Sequence, residues 1–276
     1  MKNDFNLTIE KLIQNRSLSP EEYQFLVESF SMENLEYIAP LSLKEKQRAY
    51  GDTIYIRGLI EISNICKNDC LYCGIRASNK NCERYRLSKE QILSCCKEGY
   101  ALGFRTFVMQ GGEDPYYTNE IICDIVSEIR NTYPDCAITL SIGEKSKESY
   151  KAYFEAGANR FLLRHETASN EHYGKLHPSS MSLDERRTCL FNLKEIGYQV
   201  GSGFMVGSPY QTMENIISDL RFLQELQPDM VGIGPYVNHK DTPFKDFQNG
   251  SVELTDLLGI DFVCVVSNFI PGRLGR

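Results

Sequence analysis

The sequence predicts an α/β protein built on a parallel sheet covered by helices and preceded by a helical N-terminal extension. Three observations carry this. Between Asp52 and Ile260, apolar strand-like runs alternate with amphipathic helical stretches six times, at roughly thirty-residue spacing, which is the repeat of βα units. Upstream of that region the chain reads as helix, with no glycine before Gly51 to suggest a flexible linker. Polar and glycine-rich segments fall at the C-terminal ends of the strands, where a parallel barrel places its chemistry. Periodicity alone permits a barrel or an open, doubly wound sheet. The position of the polar segments favours a barrel-like sheet with its site at that rim.

Each element has its own signal. Ile9, Leu12 and Ile13 share one helix face, and Ser19-Pro20 opens a second helix with proline in its first turn. Ile54 to Ile62 reads as a buried strand. Ser88 and Gln91 form a capping-box pattern that starts a helix ending near Gly103. Arg105 to Gln110 is a strand, and Ile121, Ile122, Ile125, Val126 and Ile129 mark a helix face. Cys136 to Ser141 is a strand, and Ser146 to Ala156 a helix closed by Gly157. Arg160 to Arg164 is a strand. A second capping-box pattern, Ser182 and Glu185, leads a helix to Gly197. Tyr198 to Val206 is a strand, Met213 to Leu226 a helix with its apolar residues on one face, and Met230 to Ile233 a sixth strand.

Composition narrows the function classes. The chain has 276 residues, 42% hydrophobic and 24% charged, which argues against disorder. A net charge of −7 offers no general attraction for nucleic acid or anionic membrane. The apolar run Phe262 to Ile270 is too short to span a bilayer, and Met1 to Phe5 lacks the apolar core of a signal peptide. The expected location is therefore the cytoplasm, where ten cysteines point to metal or redox chemistry plus inert core thiols.

The informative cysteines are Cys66, Cys70 and Cys73, a C-x3-C-x2-C loop directly after the first strand. Three thiolates in eight residues can converge on one inorganic cluster, and three ligands leave one iron of a 4Fe–4S cube open. Spacing alone also permits a structural zinc site with Cys82 as fourth ligand, although zinc ribbons favour paired C-x2-C knuckles. Three buried core cysteines fit poorly with the polar Lys67-Asn68-Asp69 stretch between them.

The string Cys66-x3-Cys70-Leu71-Tyr72-Cys73 resembles the motif of the radical S-adenosylmethionine (SAM) superfamily. Over residues 52–260 the chain more closely resembles the HydE family, radical SAM maturases of the FeFe hydrogenase H-cluster, relatives of biotin synthase and methylornithine synthase. The strings that carry this are Ile62-Ser63-Asn64-Ile65-Cys66, Cys73-Gly74-Ile75-Arg76, Arg84-Tyr85-Arg86, Gln110-Gly111-Gly112-Glu113-Asp114-Pro115-Tyr116-Tyr117, Leu162-Leu163-Arg164-His165-Glu166-Thr167 and Met205-Val206-Gly207-Ser208-Pro209.

The resemblance implies a TIM-type (βα) barrel, a 4Fe–4S cluster on Cys66, Cys70 and Cys73, and SAM on the open iron. It implies SAM contacts from Tyr72, from Gln110, Gly111, Gly112 and Glu113, and from Ser141, Glu166 and Arg186. Tyr72 would cover a ligand ring. The two glycines would admit close backbone approach, Glu166 would meet the ribose, and Arg186 would meet the SAM carboxylate. Thr139 and Arg164 are expected to face the interior and touch substrate. That substrate would be an iron complex carrying cysteine, CO and cyanide, delivered by the maturase HydG, with HydF and a reductant protein as further partners. An alternative is a biotin synthase-like or methylornithine synthase-like enzyme, or a non-catalytic truncated module.

The remaining residues read as structural. His165 alternates with Arg164 and Glu166 and so points away from the interior. Met205 and Tyr236 are expected in the core, as are Cys95, Cys96, Cys123, Cys136 and Cys189. The chain divides into a helical extension (1–51), a core of about six βα units (52–260) and an atypical tail (261–276) that does not resemble a seventh unit. The barrel is thus expected to be incomplete, through a late change of reading frame or a naturally shorter, open form.

Overall fold

A computed structural model describes residues 2–15, 17–29, 31–53, 55–256 and 258. The tail 261–276 lies outside them.

Three helices come first: α1 (Lys2–Asn15), α2 (Pro20–Glu28) and α3 (Met32–Tyr50). α2 starts where its sequence says it should. Ser19 is its N-cap, with a reciprocal capping box to Glu22 and Pro20 in the first turn. The core then alternates: β1 (Gly58–Ser63), α4 (Lys89–Ala101), β2 (Thr106–Gly111), α5 (Asn119–Thr132), β3 (Ala137–Ser141), α6 (Lys147–Ala156) and β4 (Arg160–Leu162). Next come α7 (Asn170–Leu176), α8 (Leu183–Ile196), β5 (Gln199–Ser202), β6 (Met205–Val206), α9 (Met213–Leu226), β7 (Met230–Val231), β8 (Gly234–Pro235) and a single turn, α10 (Val252–Asp256).

Six strands form one parallel sheet in the order β1-β2-β3-β4-β5-β7. Strand order follows chain order without reversal, so the sheet is a singly wound arc of a barrel and not a doubly wound sheet, which would reverse at a switch point. Among the described residues no ladder joins β1 to β7. The helix-facing side carries the main core, with Ile60, Ile62, Phe107, Met109, Ile138, Leu140, Phe161, Leu163 and Val200 packed on α4, α5, α6 and α8. By alternation the concave side carries Glu61, Gln110 and Ser141 in one register row. Thr139 and Arg164 also lie on that side, as their spacing from Leu140 and Leu163 requires.

A second cluster joins the N-terminal helices to the other end of the molecule. Phe5, Ile9, Leu12, Tyr23, Leu26 and Ile38 pack with Phe204, Val206 and the apolar face of α9.

Four expectations change. Residues 55–57, expected within the first strand, precede it, because the ladder to β2 begins only at Gly58 opposite Phe107. β4 ends at Leu162, not Arg164. The single strand expected over Tyr198–Val206 is two: at Gly203 (φ 155°) the path bends so closely past the Gly232 carbonyl that a Cβ would lie 1.9 Å from it, and β6 then pairs with β8. Finally, Cys95 is exposed, while Cys96 is fully buried in the core one helical step away. Cys123, Cys136 and Cys189 do pack on that core, and Met205 and Tyr236 are buried together. α7 carries no signal that the periodicity picked out.

Candidate functional site

The cysteine loop leaves β1 at the C-terminal rim, and arginines shape it. Arg84 donates to four carbonyls, those of Asn64, Ile75, Arg76 and Asn79. Arg76 makes a two-pronged pair with Asp69 at 2.8 and 2.6 Å, and the Ser78 N–H adds a third bond to that carboxylate. These contacts hold the Asp69 carboxyl well below the usual range, the Arg76 hydrogen bond being the largest cause. Arg86 pairs in the same two-pronged way with Asp114, at 2.6 and 2.8 Å. The Ser63 hydroxyl and the Tyr116 N–H complete the shell of that buried carboxylate. The Arg-Tyr-Arg string thus ties the loop to β1 and to the Gly-Gly-Glu-Asp turn.

The three thiols lie half-buried on this one loop, none in a disulfide. Burial pushes the Cys70 thiol up to about 12, with the nearby Cys73 and Cys66 adding to it. Three thiols on one half-buried loop are a donor set whose thiolate forms a multivalent cationic centre would stabilise. Among the described residues no three His, Cys, Asp or Glu side chains are drawn together around a single metal ion. Cys82 instead sits 3.6 Å from the Asn64 amide.

The glycine turn at the end of β2 packs directly on the first cysteine. A Cβ on Gly112 would lie 2.3 Å from the Ile65 carbonyl oxygen and 2.7 Å from Cys66 Cβ, so only glycine fits. Gly111 lies under the same constraint from the Ser63 carbonyl. Glu113 staples three loops together: its carbonyl accepts the Lys67 N–H, its carboxylate pairs with Lys67 Nζ at 3.2 Å, and it accepts the Glu144 N–H. Its side chain is thus engaged within the protein and not displayed. Gln110 and Ser141 stand side by side in register at the rim.

Opposite the cysteines the rim is strongly polar and incompletely satisfied. Arg186 is buried, with Nε donating to Glu144 and Nη1 to the Arg164 carbonyl. Burial opposes its charge, but Tyr173 and Glu144 outweigh that and keep it protonated. Glu144 is a partner the motifs did not single out. Arg164 Nη2 lies 3.2 Å from Glu166 Oε2, yet Nε and Nη2 of Arg164, Oε2 of Glu166 and Oγ1 of Thr139 are all buried without a hydrogen bond. Orphaned buried donors and acceptors on one rim mark a place built for a polar ligand. Together with the thiol loop and the glycine cradle, they fit a cluster and SAM.

Tyr72 belongs to this rim but turns its hydroxyl away. The hydroxyl donates to His177 Nε2 at 3.3 Å, while His177 Nδ1–H donates to the Tyr173 carbonyl. Burial holds His177 neutral, at about 3. His165 lies on the helix side of the sheet, fully buried, as expected. The ties that sequence reasoning missed are Asp69, Glu144 and Asp219. Arg76, Arg84, Arg86 and Asp114 stood in the motif strings, but charge alternation gave no hint of which carboxylate each arginine would meet.

Comparison with known proteins agrees with this geometry. A radical SAM superfamily profile matches residues 60–223. The HydE subunit of the [FeFe] hydrogenase maturase from Thermotoga maritima is 46% identical over 220 residues, 80% of this chain and 62% of that protein. The chain therefore spans less than two thirds of that relative's length. The 3-methylornithine synthase of Methanosarcina acetivorans is 31% identical over 88% of the chain and 69% of its own length. Among solved structures, methylornithine synthase (PylB) superposes with a TM-score of 0.84 at 27% identity, covering 94% of this chain and 77% of its own. HydG, a maturase of the [FeFe]-hydrogenase, shares the fold with a TM-score of 0.82 at 22% identity, covering 97% and 63%. Among the described residues no helix is long and apolar enough to cross a membrane. A three-cysteine loop at the end of the first strand, a glycine turn pressed onto its first cysteine and a profile match over most of the barrel arc converge on one conclusion: the chain belongs to the radical SAM superfamily.

Proposed function

We propose that this chain is a HydE-like radical SAM enzyme of [FeFe] hydrogenase maturation. The observation that supports it most is the placement of Cys66, Cys70 and Cys73 on a loop whose backbone is pinned against Gly112. When bound, the cluster and SAM supply one-electron cleavage of the sulfonium to methionine and a 5′-deoxyadenosyl radical.

The chain's own residues do the rest. The three thiolates hold the cluster, and Arg84 and the Asp69–Arg76 pair fix their loop. The Gly111–Gly112 turn offers backbone polar groups to the amino-acid end of SAM, with Gln110 and Ser141 beside it. Arg186, oriented by Glu144, presents positive charge at the rim for the SAM carboxylate. Glu166 accepts ribose hydroxyls, and Tyr72 closes the side toward α7. Thr139 and Arg164, with unfilled hydrogen-bonding capacity on the concave face, take the substrate. That substrate is the small iron–cysteine complex expected from the family, supplied by HydG and passed toward HydF, with a reductant protein providing the electron. The 46% identity to HydE favours this over a methylornithine synthase-like reaction.

The test is anaerobic reconstitution with iron and sulfide, reduction, addition of SAM and quantification of 5′-deoxyadenosine. The expected result is nucleoside from the wild type and none from Cys70→Ala. A protein that holds its cluster and forms no nucleoside would overturn the reading.

A further inference from the structure

The turn after β4 holds its backbone in an unusual conformation. Glu166 has φ 65°. The Thr167 N–H donates across it to the His165 carbonyl at 2.8 Å, which makes the rare, strained positive-φ γ-turn. Such strain in a residue with a side chain persists only where the surroundings over-determine it.

Here every residue of the turn is tied. The Glu166 N–H donates to the Gly203 carbonyl at 3.0 Å, and its own carbonyl accepts the Met205 N–H at 3.3 Å. The Ala168 N–H donates to Asp219 Oδ1 on α9. His165 Nδ1 lies 2.9 Å from Ser202 Oγ on β5, and its Nε2 lies 3.5 Å from Asp219 Oδ1. His165, Ser202 and Asp219 are fully buried on the helix side of the sheet, out of reach of any ligand at the rim. A buried polar trio in an apolar layer costs stability, and here it borders the one strained residue of the site.

We propose that His165, Ser202 and Asp219 form a positioning clamp that holds Glu166 in its γ-turn, so that the carboxylate meets the SAM ribose already oriented. The clamp rests on the reading of SAM as ligand. None of the three touches it: they act through the backbone of residues 165–168. Burial pushes Asp219 up and His165 down. Within the trio the His165–Ser202 contact is the hydrogen bond, while His165 Nε2 faces Asp219 Oδ1 without one, and Asp219 instead holds the Ala168 N–H.

The test is a double-mutant cycle on the full, anaerobically reconstituted chain with two readouts. The first is the melting temperature. Glu166→Gly is expected to melt about 2–4 °C above Glu166→Ala, because both lack the carboxylate that faces Arg164 and only glycine adopts positive φ without strain. The gap should narrow in an Asp219→Asn background, where the turn is free to relax. The second is SAM affinity, followed by the change that SAM makes in the electron paramagnetic resonance signal of the reduced cluster. Asp219→Asn and, independently, Ser202→Ala are each expected to weaken SAM about tenfold, about 1.4 kcal/mol, with the signal before SAM unchanged. In a Glu166→Gly background neither should weaken it further. Additive losses, or a Glu166→Gly chain that melts no higher than Glu166→Ala, overturn the clamp. A wild-type signal that ignores SAM overturns the SAM reading instead, and the melting-temperature cycle still decides whether the clamp holds the turn.

Discussion

The cysteine loop and the β4 turn both stand at the C-terminal rim, yet they are held in opposite ways. The loop is tied mostly to its own neighbourhood. Arg84, Arg76 and Arg86 bind carbonyls and carboxylates within residues 64–114. The β4 turn is tied across the fold, to β5, β6, α7 and α9. A locally tied loop keeps its shape as long as its own strand is in place. A turn tied across four elements reports on the packing of all of them.

The largest expected effect removes the purpose of the loop while sparing its ties. Cys70→Ala should abolish stable iron and sulfide retention after reconstitution, measured by metal analysis, with far-ultraviolet circular dichroism unchanged. Attacking the ties comes next. Asp114→Ala strips Arg86, Ser63 and Tyr116 of a shared, fully buried partner and should cost about 3 kcal/mol in denaturant unfolding.

Acid should act on the same carboxylate. Burial alone would raise the Asp114 pKa, but Arg86 and Ser63 outweigh it and hold it below its ordinary value of 3.8. A depressed folded pKa means that this contribution is complete above the unfolded value. It is lost as pH falls through the folded value, so the window lies below about pH 4. Asp114→Asn should flatten that part of the stability–pH curve.

A smaller effect is expected on the other side of the comparison. Glu144→Gln leaves the Arg186 charge buried against a neutral partner, costing about 2 kcal/mol. It should also weaken SAM binding by calorimetry while leaving iron content intact. The smallest is the surface pair Lys147–Glu195, where Lys147→Ala should change stability by less than about 0.5 kcal/mol.

The same contrast explains what the sequence made legible. The cysteines, the glycine turn and the capping box at Ser88 are short-range patterns, and the structure carries them where they stand; at Ser182 only half of the expected box forms, the hydroxyl accepting the Glu185 N–H without the reciprocal bond. Gly112 could be read as a place of close approach because glycine itself is the signal, although its actual neighbours, Ile65 and Cys66, could not be read. Glu144, Asp219 and the break at Gly203 could not. Each gets its role from a partner that no residue type in its own segment signals: Arg186, Ala168 and Gly232. Periodicity says which face a residue takes, not which charge waits there. Tyr72 shows the limit from the other side: its motif placed it at the site, but α7, invisible to the pattern, supplies the His177 that captures its hydroxyl.

Strand order that follows chain order has a consequence for biosynthesis. As the chain leaves the ribosome, each new βα unit finds the strand it must pair with already made. The N-terminal helices are the exception, because Phe5, Ile9 and Tyr23 pack on α9 and on Phe204 and Val206. These helices are thus made long before the partner on which they dock. Proteolysis of ribosome-stalled chains should cut α1 and α2 freely until Met213–Leu226 has emerged, and much more slowly thereafter.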